Sequence, residues 1–134
     1  MRIEPFKHQV KVVVEAVVNP SEDVEKVKRA IRNITLGVEP QLTGGRVLRG
    51  ESEDQKSLYT IYEQIRARRT MAVARRMLTQ NSTDNHTWLY LNKQAAYMNV
   101  VAICEEEGES PLGPIKLEIY TDNLAELIDW LSPS

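Results

Sequence analysis

Residues 8–34, HQVKVVVEAVVNPSEDVEKVKRAIRNI, contain the pattern that decides the fold. Along residues 8–18 every second position from Val10 to Val18 is apolar, and most of these residues are β-branched, which predicts a strand with one buried face. The next four residues are typical of a helix start, with Asn19 as the cap, Pro20 at the first helical position and Glu22 as a capping-box carboxylate. An apolar stripe at three- and four-residue spacing then predicts a helix: Val24, Val27, Ala30, Ile31 and Ile34.

Residues 35–80 predict a loop followed by two helices. Gly37, Pro40, Gly44 and Gly45 punctuate the loop, and residues 46–49 are the candidate for a short strand within it. A helical pattern begins at Glu53, but a single straight helix from there would bury two arginines or expose three apolar residues. A break near residues 68–70 avoids both costs, so we expect two helices with different buried faces.

The last third of the chain predicts three strands and a final helix. Residues 81–85 form a polar loop, residues 87–91 and 97–104 have strand composition, and residues 114–121 alternate with Ile115, Leu117 and Ile119 inward. Asp122 or Thr121 caps a helix whose apolar stripe is Leu124, Leu127, Ile128 and Leu131. The predicted order is β-α-β-α-α-β-β-β-α, an α+β fold with helices packed on one face of a single mixed or antiparallel sheet.

Composition indicates one cytoplasmic domain spanning residues 1–134. The chain is 42% hydrophobic and 27% charged, without low-complexity bias. The N-terminal segment MRIEPFKHQV has no apolar core, and no apolar run approaches the roughly 20 residues that cross a bilayer. The second sheet face would carry Val13, Val17, Trp88 and Tyr90, so we expect a loop, a second subunit or a ligand to cover it, and a homodimer is the interpretation we favour.

Charge is unevenly distributed. The net charge is −2, yet residues 26–76 contain twelve Lys and Arg against five Asp and Glu. The densest part is a run of five arginines within eleven positions: Arg66, Arg68, Arg69, Arg75 and Arg76. Such a run suits the phosphate backbone of a nucleic acid, because each neutralised phosphate releases counterions. It equally suits ion pairs with the acidic residues 105–109, contacts with another subunit, or simple solvation.

Several segments together resemble a known family. These are residues 19–23 (NPSED), the broken arginine-rich pair 65–78, residues 92–96 (NKQAA), residues 109–115 (ESPLGPI) and residues 128–133 (IDWLSP). The pattern looks like an archaeal family of small uncharacterised proteins, similar to large-subunit ribosomal proteins that bind 5S ribosomal RNA and to a group described as RNA-binding exosome subunits. The resemblance implies the same element order and RNA as a partner, and it supplies no catalytic or binding residues.

Other candidate residues have two interpretations each. Lys93, at the start of KQAA, is either a further phosphate contact or part of a bulge that needs small neighbours for packing. Trp88, Tyr90 and Tyr97 are either base-stacking residues on the sheet or part of the core or of an interface, and the second interpretation is favoured because the aromatic signature of an RNA-recognition motif is missing.

Catalysis is not indicated by any motif. His8 and His86 belong to no recognisable triad or metal site. Cys104 is the single cysteine, and we expect it to pack as a small apolar residue. We therefore expect no enzyme and no cofactor. The function predicted from the sequence is RNA binding through the arginine-rich helix pair, with a protein-interaction or assembly subunit as the alternative.

Overall fold

The computed structural model describes residues 2–134. Its centre is one antiparallel sheet of six strands in the order β2-β3-β1-β6-β4-β5. The strands are β1 (Lys11–Val17), β2 (Gln41–Thr43), β3 (Val47–Ser52), β4 (His86–Leu91), β5 (Ile103–Cys104) and β6 (Ile115–Tyr120). The helices are α1 (Val24–Ile34), α2 (Tyr59–Ala67), α3 (Met71–Gln80), α4 (Lys93–Tyr97) and α5 (Leu124–Leu131). The predicted α+β class is confirmed.

The core lies between the helices and one face of the sheet. In the centre of the sheet Val14 pairs with Leu117, and Leu117 pairs with Leu89 on the next strand. The predicted inward residues Ile115, Leu117 and Ile119 are all buried. Most of the predicted apolar stripe of α1 is buried too, because it lies on this face of the sheet: Val27, Ala30, Ile31 and Ile34.

The break between the two arginine-rich helices is confirmed. The first helix ends at Ala67 and the second begins at Met71, and Arg69 between them has a φ of 55°. This left-handed residue turns the chain, so that α2 buries Ile61 and Ile65 while α3 buries Ala74, Met77 and Leu78. Two different apolar faces thus reach one core.

Helix α1 begins later than the sequence predicts. Asp23, not Asn19, is its N-cap, with a carboxylate that accepts the backbone N–H of Glu25 at 2.9 Å. The expected bond between Glu22 and the backbone N–H of Asn19 does form, at 3.0 Å, but within the turn that precedes the helix. A capping-box pattern therefore closes a turn here rather than the helix itself.

Residues 35–52 contain more strand than the sequence predicts. A hairpin forms from β2 and β3, which are joined through Gly44–Arg46. Gly50 faces the core side of β3, where a side chain would meet Val38 Cγ1 at 2.5 Å. Residues 38–40 cross so close to the strand that only a glycine fits at position 50. This explains why the strand contains a glycine, a residue that weakens most strands.

The segment 92–104 corrects a second expectation. The sequence predicts a strand over residues 97–104, and a bulge before it is one of the two interpretations of KQAA. Instead Asn92 caps the short helix α4, with its side-chain oxygen accepting the Ala95 N–H at 2.8 Å, and only Ile103 and Cys104 pair with β4. The element order becomes β-α-β-β-α-α-β-α-β-β-α.

The outer sheet face carries the residues predicted for it. Val13 is opposite Glu118, and Glu118 is opposite Trp88, so all three are on this face. Val13 is only 1% exposed, whereas Val17 at the end of the strand is 49% exposed. Long charged and aromatic side chains of the sheet itself therefore shield much of its apolar centre. The homodimer stays a prediction.

Candidate nucleic-acid interface

Arg66 anchors the C-terminal helix. Its guanidinium donates to the backbone carbonyls of Leu131 at 3.1 Å and Trp130 at 2.9 Å, and it lies 3.3 Å from the centre of the Tyr62 ring. These carbonyls belong to the last turn of α5, where helical hydrogen bonds run out. Arg66 is thus half-buried and committed to packing, although the sequence placed it among the phosphate contacts.

The two arginines of α3 are each paired with a carboxylate. Arg75 Nη2 lies 2.7 Å from Asp129 Oδ1, and its Nη1 donates to the Ser132 carbonyl at 3.2 Å. Arg76 forms an ion pair with Glu105, and both side chains are exposed. Exposed pairs of this kind contribute little to stability because water competes for both charges. Arg76 is therefore only weakly held.

Arg68 and Arg69 occupy the corner between α2 and α3. Both are exposed, and the structure of residues 2–134 gives neither guanidinium a hydrogen bond or an ion pair. Their backbone is held in place, because Arg68 N donates to Gln64 O at 2.9 Å and Thr70 N donates to Ile65 O at 2.9 Å. The corner consequently presents two unneutralised charges on a fixed backbone.

Lys93 is a buried structural lysine. Its side chain is 3% exposed, and Nζ donates to Val17 O at 2.8 Å, Leu112 O at 2.9 Å and Glu22 Oε1 at 2.9 Å. All three ammonium N–H groups are thereby used. Burial alone would raise the pKa of Glu22, but the hydrogen bonds from Asn19 and Lys93 outweigh it and hold that pKa below its ordinary value. This arrangement leaves Lys93 no donor for a phosphate.

A short turn connects the arginine corner to α1. Gln64 of α2 donates to the Asn99 carbonyl at 2.7 Å and accepts the Val101 N–H at 2.7 Å. On the other side of the turn the Arg29 guanidinium lies 5.5 Å from the centre of the Tyr97 ring. Arg68 follows Gln64 by one helical turn and so lies on the same side of α2. Residues 97–99 therefore lie between α1 and the arginine corner.

We call the resulting area the basic surface: Lys26, Arg29, Arg68, Arg69 and the turn 97–99. Lys26 and Arg29 are exposed on α1 and, within the described chain, form no ion pair. Both lie outside the apolar stripe that the sequence predicts for α1, and the sequence analysis did not connect them with the arginine run. The three-residue spacing of Lys26 and Arg29 indicates that they share one face of α1. Their proximity to the arginine run could not be predicted, because it depends on the long-range contacts of Gln64.

The aromatic candidates are divided between two places. Trp88 and Tyr90 are neighbours on the outer sheet face, with ring centres 4.7 Å apart, while Tyr97 belongs to α4 on the other side of the molecule. Lys116 Nζ lies 5.1 Å from the Trp88 ring but also 3.2 Å from Glu118 Oε1. Opposite charges therefore alternate on the outer face, which is a poor surface for a phosphate backbone.

Chemistry other than binding finds little support in the described residues. Cys104 is buried, and burial raises the pKa of its thiol, which keeps it protonated at neutral pH. Across residues 2–134 no three His, Cys, Asp or Glu side chains gather in a way that would hold a metal ion. The same part of the chain contains no helix long and apolar enough to span a membrane. The absence of an enzymatic activity stays a prediction.

Comparisons with known proteins agree on one family. A family model described as RNA binding matches residues 11–121. A UPF0201 protein of Methanothermobacter thermautotrophicus is 44% identical over 123 residues, covering 92% of this chain and 91% of that protein. One from Thermococcus onnurineus is 38% identical over 125 residues, covering 91% and 90%. The crystal structure of a UPF0201 protein from Methanococcus jannaschii superposes with a TM-score of 0.78 at 28% identity, covering 92% of this chain and 93% of that one.

Proposed function

Because this chain belongs to the archaeal UPF0201 family and also matches a family model described as RNA binding, we propose that it binds RNA through the basic surface. The match of that model to residues 11–121 is the observation that carries the proposal. The contact residues follow from charge: Lys26, Arg29, Arg68 and Arg69 are the cations of this area that have no carboxylate partner within the described chain. Arg76 would join them if Glu105 were displaced.

The expected strength follows from counterion release. Each phosphate contact contributes about 0.7 to 0.9 to the slope of log affinity against log salt, so four contacts give a slope near −3. Raising the salt from about 50 to 200 mM would then weaken binding about sixtyfold. An overall negative protein can bind this way, because the field that an RNA meets depends on the local surface rather than on the net charge.

The resemblance to proteins that bind 5S ribosomal RNA suggests a structured RNA as the partner. The basic surface is composed of two helices and a turn rather than of a flat sheet, which suits contact with the backbone of a folded RNA. Cytoplasmic localisation and a homodimer belong to the same proposal. In the dimer, Val17 on the outer sheet face would be covered by the second copy.

A protein-interaction or assembly subunit is the alternative. The observation that favours it is the alternation of charge on the outer sheet face, where Lys11 pairs with Glu51 and Lys116 pairs with Glu118. Such a face complements another protein more readily than a polyanion. This alternative predicts association with proteins and no affinity for RNA at low salt.

The test compares two double variants with the same change in net charge. Arg68→Gln with Arg69→Gln removes two unpaired cations, and Arg32→Gln with Arg49→Gln removes two cations that are paired with Glu39 and Glu51. Fluorescence anisotropy with a labelled RNA hairpin, over a salt series, measures the slope. We expect the first variant to lower its magnitude by about 1.5 and the second to change it little. No binding at about 50 mM salt would refute the proposed function.

A further inference from the structure

A groove runs between the N-terminal half of α1 and the short helix α4. Its volume is about 440 Å³, and the residues that line it include Ser21, Lys26, Gln94, Tyr97 and Met98. That volume falls within the range of small-molecule sites, about 300 to 1,000 Å³. The groove opens beside the turn 97–99, so it borders the basic surface.

The charged side chains that line the groove sum to zero, and an arginine beside it adds one positive charge. Glu22 and Lys93 both line it, but they neutralise each other through the buried ion pair. Asp23 also lines it, and its carboxylate accepts the Glu25 N–H as the cap of α1. Lys26 balances this single partly satisfied acid, and Arg29, which lies beside the groove over the ring of Tyr97, adds one positive charge. An anionic group is therefore the charge that fits.

Part of the wall on the α4 side of the groove is apolar, namely Tyr97 and Met98. Met98 is 69% exposed, more than the other exposed large apolar residues of the described chain, and it directly follows Tyr97. A flexible thioether beside an aromatic ring gives an adaptable apolar surface, which suits a flat heterocycle. A phosphate site next to such a wall has the two halves of a nucleotide's chemistry.

We propose that this groove takes one unpaired nucleotide of the bound RNA, an inference that rests on the proposed function. The base lies against Met98 and Tyr97, and the phosphate on its sugar lies near Lys26 and Arg29. A base inside an A-form duplex is paired and stacked, so it cannot enter. The protein consequently prefers single-stranded or looped RNA to a perfect duplex.

The experiment measures two RNAs side by side by fluorescence anisotropy. One is a labelled single strand of about twelve nucleotides, and the other is the same strand annealed to its full complement. Met98→Ala removes the exposed apolar wall, and Leu42→Ala on strand β2 removes a similar exposed apolar side chain far from the groove. Lys26→Gln removes the groove cation, and Lys56→Gln removes an exposed lysine elsewhere.

We expect the unmodified protein to bind the single strand at least about fivefold more tightly than the duplex, and Met98→Ala to abolish that preference by weakening single-strand binding alone. Lys26→Gln should lower the single-strand salt slope by about 0.7, and neither control should change either property.

Other results overturn the inference. If Met98→Ala leaves both affinities unchanged, the groove takes a protein segment or nothing, and the nucleotide proposal is wrong. If the duplex binds as tightly as the single strand while Arg68→Gln with Arg69→Gln weakens both, RNA binding stands and the groove proposal falls. If neither RNA binds at low salt, the proposed function fails as well.

Discussion

Single residues of the same type have different roles in this protein, because their surroundings differ. Arg66 and Arg68 are two positions apart, yet Arg66 reaches the last carbonyls of α5 while Arg68 has no protein partner within residues 2–134. Lys93, which the sequence grouped with the arginines, ties the end of β1 to the loop before β6 through Val17 and Leu112. Arg66 and Lys93 therefore hold the fold together, whereas Arg68 is free to take the binding role proposed for it.

Replacing Lys93 should be costly for stability. In Lys93→Met the alkyl part of the side chain is kept, but Glu22 loses its cationic partner in a place where its side chain is only 10% exposed. We expect a loss of about 3 kcal/mol in the free energy of unfolding, measured by urea denaturation at pH 7. The double variant Glu22→Gln with Lys93→Met should recover part of that loss, because no buried charge remains unpaired.

The same pair has a pH signature. Since the folded-state pKa of Glu22 lies below its unfolded value, the pair stabilises the fold above pH of about 4.3 and this contribution disappears as pH falls through the folded-state pKa. The stability of Glu22→Gln should accordingly fall less steeply than that of the unmodified protein below this pH. Parallel curves for the two proteins would contradict the role assigned to the pair.

Among the elements, the acidic loop 105–109 covers one of the two arginines of α3, because Glu105 pairs with Arg76. Glu105 holds Arg76, and Glu107 accepts a hydrogen bond from the Tyr90 hydroxyl, so the loop spans from the helix to the outer sheet face. A carboxylate on Arg76 occupies the position that a phosphate would take. An RNA backbone bound as proposed would therefore compete with the loop for the same guanidinium.

Glu105→Gln should raise RNA affinity by releasing Arg76. We expect a gain of a few-fold at low salt and an increase of about 0.7 to 0.9 in the magnitude of the salt slope. Glu106→Gln is the matched control, since it removes the same charge from the adjacent residue, for which the structure gives no arginine partner. If both variants gained the same affinity, the gain would come from the change in net charge and not from the release of Arg76. Combining Glu105→Gln with Arg76→Gln should cancel the gain.

The sequence predicts those elements whose signal is local. The stripe of α1, the alternation of β6 and the break at residues 68–70 each follow from periodicity within one segment, and all three are confirmed. Helix α4 has only five residues, too few for an apolar period, and β5 has two. The partners of the arginines were not predictable either, because Arg66 and Leu131 are 65 positions apart and meet only in the fold.

At the scale of the whole molecule, the two sides of the sheet differ in charge pattern. The helix side carries the basic surface, where Lys26, Arg29, Arg68 and Arg69 lie around the turn 97–99. The outer sheet face alternates cations with carboxylates, and Glu118 there is paired with Lys116. A net charge of −2 thus conceals one area of unpaired cations and a larger remainder in which cations and carboxylates are mixed.

The most direct measurement is an NMR titration that maps RNA onto the whole molecule. Backbone amide chemical shifts of the isotope-labelled protein are recorded while an unlabelled single-stranded RNA of about twelve nucleotides is added at low salt. We expect the shifts to concentrate in α1, the turn 97–99 and the α2–α3 corner, and β1, β4 and β6 to change little. Shifts centred on Trp88 and Tyr90 of the outer sheet face, or no shifts at all, would contradict this expectation.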